Sequence, residues 1–176
     1  IQDGKIAFHN FSSKPPVNIK ATSVNASLYN LTNVVDVKGK RDASFEGKAL
    51  LQGQAPLEAT ATFDPQSNFE DYEFRFRAKD LQLKRMNDFA SAYGKFDFKA
   101  GTGDVVIEAQ AEKGQLRGYI KPLLRDVEVF DWQQDVENKD KNIFRSIWEA
   151  VVGASETVLK NQNKNKFATR VELSGR

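Results

Sequence analysis

The chain has 176 residues, enough for one domain with a core of its own. Hydrophobic residues make up 40% and charged residues 28%, the balance of a globular rather than a disordered chain. Lys and Arg total 26 against 24 Asp and Glu, a net of +2, where a dedicated nucleic-acid binder carries a clear basic excess. With no cysteine, disulfides, thiol catalysis and thiolate metal sites are excluded together, although the compartment is left open.

Period-2 alternation dominates the sequence, and it is the mark of a strand with one apolar face. Ile6 and Phe8 form a short first strand. Val17, Ile19 and Ala21 begin a longer one, and Val24, Ala26 and Leu28 continue it in the opposite phase. That switch near Thr22–Ser23 predicts a β-bulge or a break. Phe45, Ala49 and Leu51 follow. Leu57, Ala59, Ala61 and Phe63 alternate with Glu58, Thr60 and Thr62. Tyr72, Phe74, Phe76 and Ala78 alternate with Glu73, Arg75, Arg77 and Lys79, the cleanest run in the chain, with one aromatic face and one charged face. An antiparallel sheet with one apolar and one wetted side suits such a strand.

Met86, Phe89, Ala90 and Tyr93 recur at helical spacing and predict a short helix from about Lys84 to Tyr93. Phe96 and Phe98 then precede a predicted turn at Gly101-Thr102-Gly103. Val105, Ile107, Ala109 and Ala111 make the next strand, and a Lys113-Gly114 turn leads into Leu116, Gly118 and Ile120 as a hairpin. Val127 and Val129 suggest a further short strand. From about Lys141 to Gln162 a long amphipathic helix is predicted. Ile143, Phe144, Ile147, Trp148, Val151, Val152, Val158 and Leu159 form its apolar stripe, and Arg145, Glu149, Glu156 and Lys160 its polar side. Each large residue of that stripe contributes about 1.5–3 kcal/mol when buried, so the helix must dock on something. Phe167, Thr169, Val171 and Leu173 form the closing strand. The expected fold is mainly β (α+β): a curled antiparallel sheet with one short helix and one long amphipathic helix before the last strand.

Motifs for chemistry are sparse. His9 is the single histidine, stands between Phe8 and Asn10 on a strand, and has no G-x-S-x-G nucleophile to serve. Asp126, Glu128, Asp131, Asp135, Glu137 and Asp140 are acidic, but they lack the calcium-loop pattern and read as a solvated approach to the long helix. The Gly101-Thr102-Gly103 segment lacks the Lys-Ser/Thr of a phosphate loop. Arg75, Arg77, Lys79, Lys84 and Arg85 form a basic patch that reads first as a wetted sheet face and second as a polyanion site. No catalytic, cofactor or metal residues are assigned, and a hydrolase reading would need a pocket of convergent polar groups.

Three segments carry a family resemblance. The first is Asp3-Gly4-Lys5-Ile6-Ala7-Phe8 followed by Pro15-Pro16-Val17. The second is Leu83-Lys84-Arg85-Met86-Asn87-Asp88-Phe89, running through Ala92-Tyr93-Gly94-Lys95-Phe96-Asp97 to Ala100-Gly101. The third is Gly118-Tyr119-Ile120-Lys121-Pro122-Leu123-Leu124, then Trp148-Glu149-Ala150-Val151-Val152-Gly153, then Ala168-Thr169-Arg170 and Ser174-Gly175-Arg176. In this order they resemble the AsmA-like superfamily of Gram-negative envelope proteins, in a branch described as a domain of unknown function. That family is similar to the bridge-like lipid-transport proteins.

The resemblance implies a non-enzymatic periplasmic module with an apolar groove that shields acyl chains. It also implies an inner-membrane anchor outside these residues, no cofactor, and a part in phospholipid transport for outer-membrane biogenesis. Residues 1–176, which open at Ile1 without an initiator Met, are then expected to be a single β-rich module excised from a longer periplasmic protein. Expected partners are neighbouring modules of the same chain and phospholipid acyl chains, with no nucleic acid. The groove candidates are Leu57, Phe63, Tyr72, Phe74, Phe76, Phe96 and Phe98. The helix-lid candidates are Ile143, Phe144, Ile147, Trp148, Val151 and Val152. The alternative is a structural or protein-interaction module with a closed core and no lipid, which would use the same residues.

Overall fold

A computed structural model of the chain describes residues 1–39, 42–94, 97–130 and 166–175. The long amphipathic helix and all six of its lid candidates lie outside these residues, as does Phe96. Among the described residues the fold is mainly β, and its only helical structure is short.

Nine strands form one antiparallel sheet. They are β1 (Gly4–Asn10), β2 (Val17–Tyr29), β3 (Ala43–Leu51), β4 (Ala55–Phe63), β5 (Tyr72–Gln82), β6 (Asp97–Glu112), β7 (Gln115–Phe130), β8 (Lys166–Ala168) and β9 (Val171–Gly175). Their order in the sheet follows the chain from β1 to β8, and β9 also pairs with β7. The sheet is not closed. This is a meander, the arrangement in which each short connection returns the chain beside the strand it has just left.

Between β5 and β6 stands a helical segment. It comprises a 3-10 turn (Leu83–Met86), an α-turn (Asn87–Phe89) and a π-turn (Ala90–Gly94). It fills the place expected for the short helix.

Two expected strand boundaries are corrected. Gly101-Thr102-Gly103 is not a turn, because β6 runs through it without a break. Gly101 takes φ +119 and the register to β7 shifts on both sides of Ala100, so the glycine serves a bulge instead. Val127 and Val129 belong to the end of β7 rather than to a separate strand. The closing run is conversely split, β8 and β9 pairing with different stretches of β7. The bulge expected near Thr22–Ser23 is present: the β2–β3 register shifts between Thr22 and Asn25, and Ser23 has φ +49.

A further bulge, in β5 between Ala78 and Leu81, is pinned by charge on the wetted face. Arg125 on β7 donates two hydrogen bonds to Asp104 on β6, at 2.7 and 2.8 Å, and a third to Asp80 at 3.1 Å. Asp104 in turn accepts the Asp80 backbone N–H at 2.9 Å, which satisfies a group the bulge removes from the ladder. The forked guanidinium suits this paired geometry better than a lysine would.

The side-chain hydrogen bond from Arg125 holds the Asp104 carboxyl below its usual pKa, against a smaller opposing effect of burial. A lowered carboxylate pKa contributes stability above the unfolded value of about 3.9, and that share is lost as pH falls through the folded value. Asp104→Asn is expected to cost about 1–2 kcal/mol at neutral pH and to cost progressively less as pH falls below the unfolded carboxylate value of about 3.9. Urea denaturation of both proteins across that range checks it.

Candidate functional site

Directly paired residues in an antiparallel ladder share a face, so the register converts the alternation of single strands into rows across the sheet. One row runs Leu28, Phe45, Ala61, Phe74, Ala109, Gly118, Leu173. The next runs Ala26, Gly47, Ala59, Phe76, Ile107, Ile120, Val171. A third holds Ala43, Phe63, Tyr72, Ala111 and Leu116. Large residues stand beside small ones: Phe45 and Phe74 flank Ala61, and Ala109 and Gly118 follow Phe74. Such rows let rings lie across the alanine between them. The opposite face carries Glu58, Thr60, Glu73, Arg75, Arg77 and Lys79, all exposed.

Among the described residues the apolar face is incompletely covered. Leu57, Phe63, Tyr72, Phe74 and Phe76 stand together on it and are half-buried, as are Phe45, Ala61, Ile107, Ile120 and Leu173. Among the described residues no second layer is packed over these rows. Full burial of a Phe contributes about 1.5–3 kcal/mol, and a half-buried ring forgoes part of it. Sequence reasoning selected β4 and β5, whose alternation is cleanest. It passed over Phe45, Ile107, Ile120, Val171 and Leu173, which join the face only through cross-strand register.

Phe98 has a different setting from the other groove candidates. It is buried with Leu83, Ala90 and Leu124, and Val127 packs against the same cluster. This is the one compact hydrophobic cluster among the described residues, and it lies where the helical segment meets the sheet. A Cβ placed on Gly103 would point to the apolar face and lie 3.2 Å from Leu83 Cδ2. The helical segment therefore sits on the apolar face, at the end of the sheet where β5 passes into β6.

Polar side chains hold it there. Asn87 donates to the Phe98 carbonyl at 3.0 Å and accepts the Phe98 N–H at 2.9 Å, so its amide mimics a strand partner. At the same end of the sheet Gln52, in the β3–β4 turn, donates to the carbonyls of Asn18 and Arg85 at 3.2 and 3.0 Å. Arg85 returns a bond to the Gln52 carbonyl at 3.2 Å. At the end of β1, Asn10 donates to the Tyr93 hydroxyl at 2.8 Å, and the Tyr93 ring lies 4.8 Å from that of Phe89. The segment thus packs on β6 and also reaches β1, β2 and the β3–β4 turn. No alternation or spacing announces Asn10, Gln52 or Asn87, because each acts through a backbone group distant in sequence.

The remaining polar candidates do not converge. His9 is exposed and stacks on Phe11 with centroids 5.6 Å apart. Glu128 pairs with Lys99 at 3.3 Å, Asp126 is exposed, and the rest of the acidic run lies outside the described residues. On the wetted face Arg170 stacks over the Tyr119 ring at 4.1 Å and pairs with Glu172 at 2.7 Å. Among the described residues no group of three or more His, Cys, Asp or Glu is placed to hold a metal. No helix among them is long and apolar enough to cross a membrane. No protein-family model, no curated protein and no solved structure matches the chain.

The tight rows give a steric prediction. A Cβ on Gly118 would lie 2.3 Å from the Glu108 carbonyl oxygen and 2.8 Å from Ala109 Cα, whereas one on Gly175 meets nothing within 4 Å. Gly118→Val is expected to destabilise by about 1–3 kcal/mol, and Gly175→Ala to stay within about 0.5 kcal/mol of the parent. Asn87→Ala should cost about 2 kcal/mol by stripping partners from both backbone groups of Phe98. Thermal melts followed by circular dichroism check all three.

Proposed function

We propose that this chain is a lipid-handling module whose incompletely covered apolar face shields phospholipid acyl chains by passive contact, without catalysis. The observation that carries the reading is the continuous row of Phe45, Ala61, Phe74, Ala109, Gly118 and Leu173, crossing from β3 to β9 with its rings only partly buried. Acyl chains need contact area and dispersion rather than directional partners, and such a face offers that. The bulges near Ser23, Asp80 and Gly101 favour a strongly twisted, curled sheet with this face inside.

The resemblance to the AsmA-like envelope proteins agrees with this reading. It extends it to a periplasmic module, continuous with neighbouring modules of a longer chain anchored in the inner membrane, that carries phospholipid for outer-membrane biogenesis.

A closed core is the competing reading, and Ala61 separates the two. Its side chain lies on the apolar face between Phe45 and Phe74. In an open groove Ala61→Trp should leave stability within about 0.5 kcal/mol and reduce co-purified phospholipid seen by native mass spectrometry. In a closed core the same change should cost about 1–3 kcal/mol through overpacking. A photo-crosslinking residue at Phe76 should label lipid, while one at Arg77 on the wetted face should not. Equal labelling at both positions would sink the proposal.

A further inference from the structure

The apolar face has a definite length along its strands. On β6 it runs from Val105 through Ile107 and Ala109 to Ala111. Ala78 to Tyr72 on β5 and Pro122 to Leu116 on β7 lie beside that run in register. Val105 and Ala111 are six residue steps apart, about 20 Å at roughly 3.4 Å per residue.

The two ends of the run differ. At the Val105 end it meets a wall. Leu83 of the helical segment stands over β6: a Cβ on Gly103 would lie 3.2 Å from Leu83 Cδ2, and one on Gly101 would lie 3.0 Å from Leu83 Cδ1. Leu83 is buried with Ala90, Phe98 and Leu124, so the wall is packed from behind. At the Ala111 end the surroundings are polar. Asp64, Asp71 and Glu112 line one depression together with Tyr72 and Ala111. Lys113 follows in the β6–β7 turn, and its N–H donates to Asp71 Oδ1 at 3.0 Å. That end carries charge of both signs, the complement of a zwitterionic headgroup, whereas the wall presents only apolar side chains.

We infer that the face takes phospholipid in one orientation, its acyl chain along the strands with the methyl end against Leu83 and the headgroup at the Ala111 end, and that Leu83 sets the chain length that fits. The inference rests on the lipid-shielding reading and adds a polarity and a length to it. A saturated chain advances about 1.25 Å per carbon, the ~1.5 Å bond projected along its zigzag, so about 16 carbons fill the run. Each methylene within the run gains apolar contact. A further one must leave the face at the polar end or press on the buried cluster, which is close-packed and yields little. Lipid moving across the strands would keep this orientation throughout.

Lysophosphatidylcholines with saturated chains of about 10 to 20 carbons, competing with a fluorescent fatty acid for the intact chain, test the length. Affinity should rise about tenfold for every two carbons and stop rising near about 16. Val105→Phe adds bulk at the foot of the wall and should move the optimum about two carbons shorter, and Leu83→Ala should move it about two carbons longer. Circular dichroism checks that each variant folds. Should Leu83→Ala lose the cluster, Val105→Phe still carries the test. Photo-labels on the unmodified chain test the polarity. A diazirine at the acyl terminus should mark the Leu83 and Val105 end, and one on the headgroup should mark the Tyr72 and Lys113 end.

Three outcomes each overturn the inference. They are affinity that still climbs at about 20 carbons, an optimum that a folded Val105→Phe leaves in place, and photo-labels with the two ends reversed. The groove reading fails separately. No binding at any chain length, with no lipid labelled from Phe76, would remove both readings. Lipid labelled from Phe76 without a length optimum would leave the shielding standing and remove the wall as its limit.

Discussion

The constraint on which everything else depends is the phase of each strand relative to its neighbours. In a sheet, a one-residue slip sends every side chain to the other face. Here four strands change phase and still keep their apolar residues on one side. On β2 the odd positions Val17, Ile19 and Ala21 give way to the even positions Val24, Ala26 and Leu28, across the bulge at Ser23. On β5 the even run ending at Ala78 gives way to Leu81, across Asp80. On β6 Phe98 precedes Gly103 and Val105, and on β7 Leu124 precedes Val127, with Gly101 and Asp126 at the switches. Each bulge inserts the residue that restores the phase. The Arg125–Asp104–Asp80 cluster secures one of them on the wetted side, where charge is cheaply solvated.

A sheet built this way has a consequence for packing. Its apolar rows run from β2 to β7 and on to β9, but among the described residues the compact cluster around Leu83, Ala90, Phe98 and Leu124 covers only one end. The helical segment achieves this with few residues because it draws on polar tethers from distant strands. Asn87 completes the backbone of Phe98, Gln52 joins the β2 and Arg85 backbones, and Asn10 holds Tyr93. Beyond that end, Phe45, Phe74 and Phe76 pair across the ladder with alanines and other apolar residues of the neighbouring strands and are not fully buried. The lipid-shielding proposal follows from that contrast between a sealed end and a face that no second layer covers among the described residues.

Much of this was legible one strand at a time. The alternation from Leu57 to Phe63 and from Tyr72 to Ala78 declares strand, face and solvent side together, because period 2 leaves no other regular structure. The phase switch at Thr22–Ser23 was readable for the same reason, since apolar residues stand on both sides of it. The switch at Gly101 was not. A Gly-Thr-Gly sequence serves a turn and a bulge equally well, and only the pairing of β6 with β7 on both sides of it decides. Phe98 was placed by its alternation with the groove residues, but it lies beneath the helical segment, because the bulge after it turns the strand end toward Leu83 and Ala90.

By itself, the sequence determined that this protein is a sheet with one apolar and one charged side, since alternation is a local property carried by neighbouring residues. It also determined where the short helix falls, through the spacing of Met86, Phe89, Ala90 and Tyr93. The tertiary structure decided which strands are neighbours, and hence that Ala61 lies between two phenylalanines and Gly118 against the Glu108 backbone. It also decided that one end of the face is plugged by Leu83 while Asp71 and Glu112 stand at the other. Those are relations between residues far apart in the chain. They depend on register and on loops meeting in space, which no local pattern encodes.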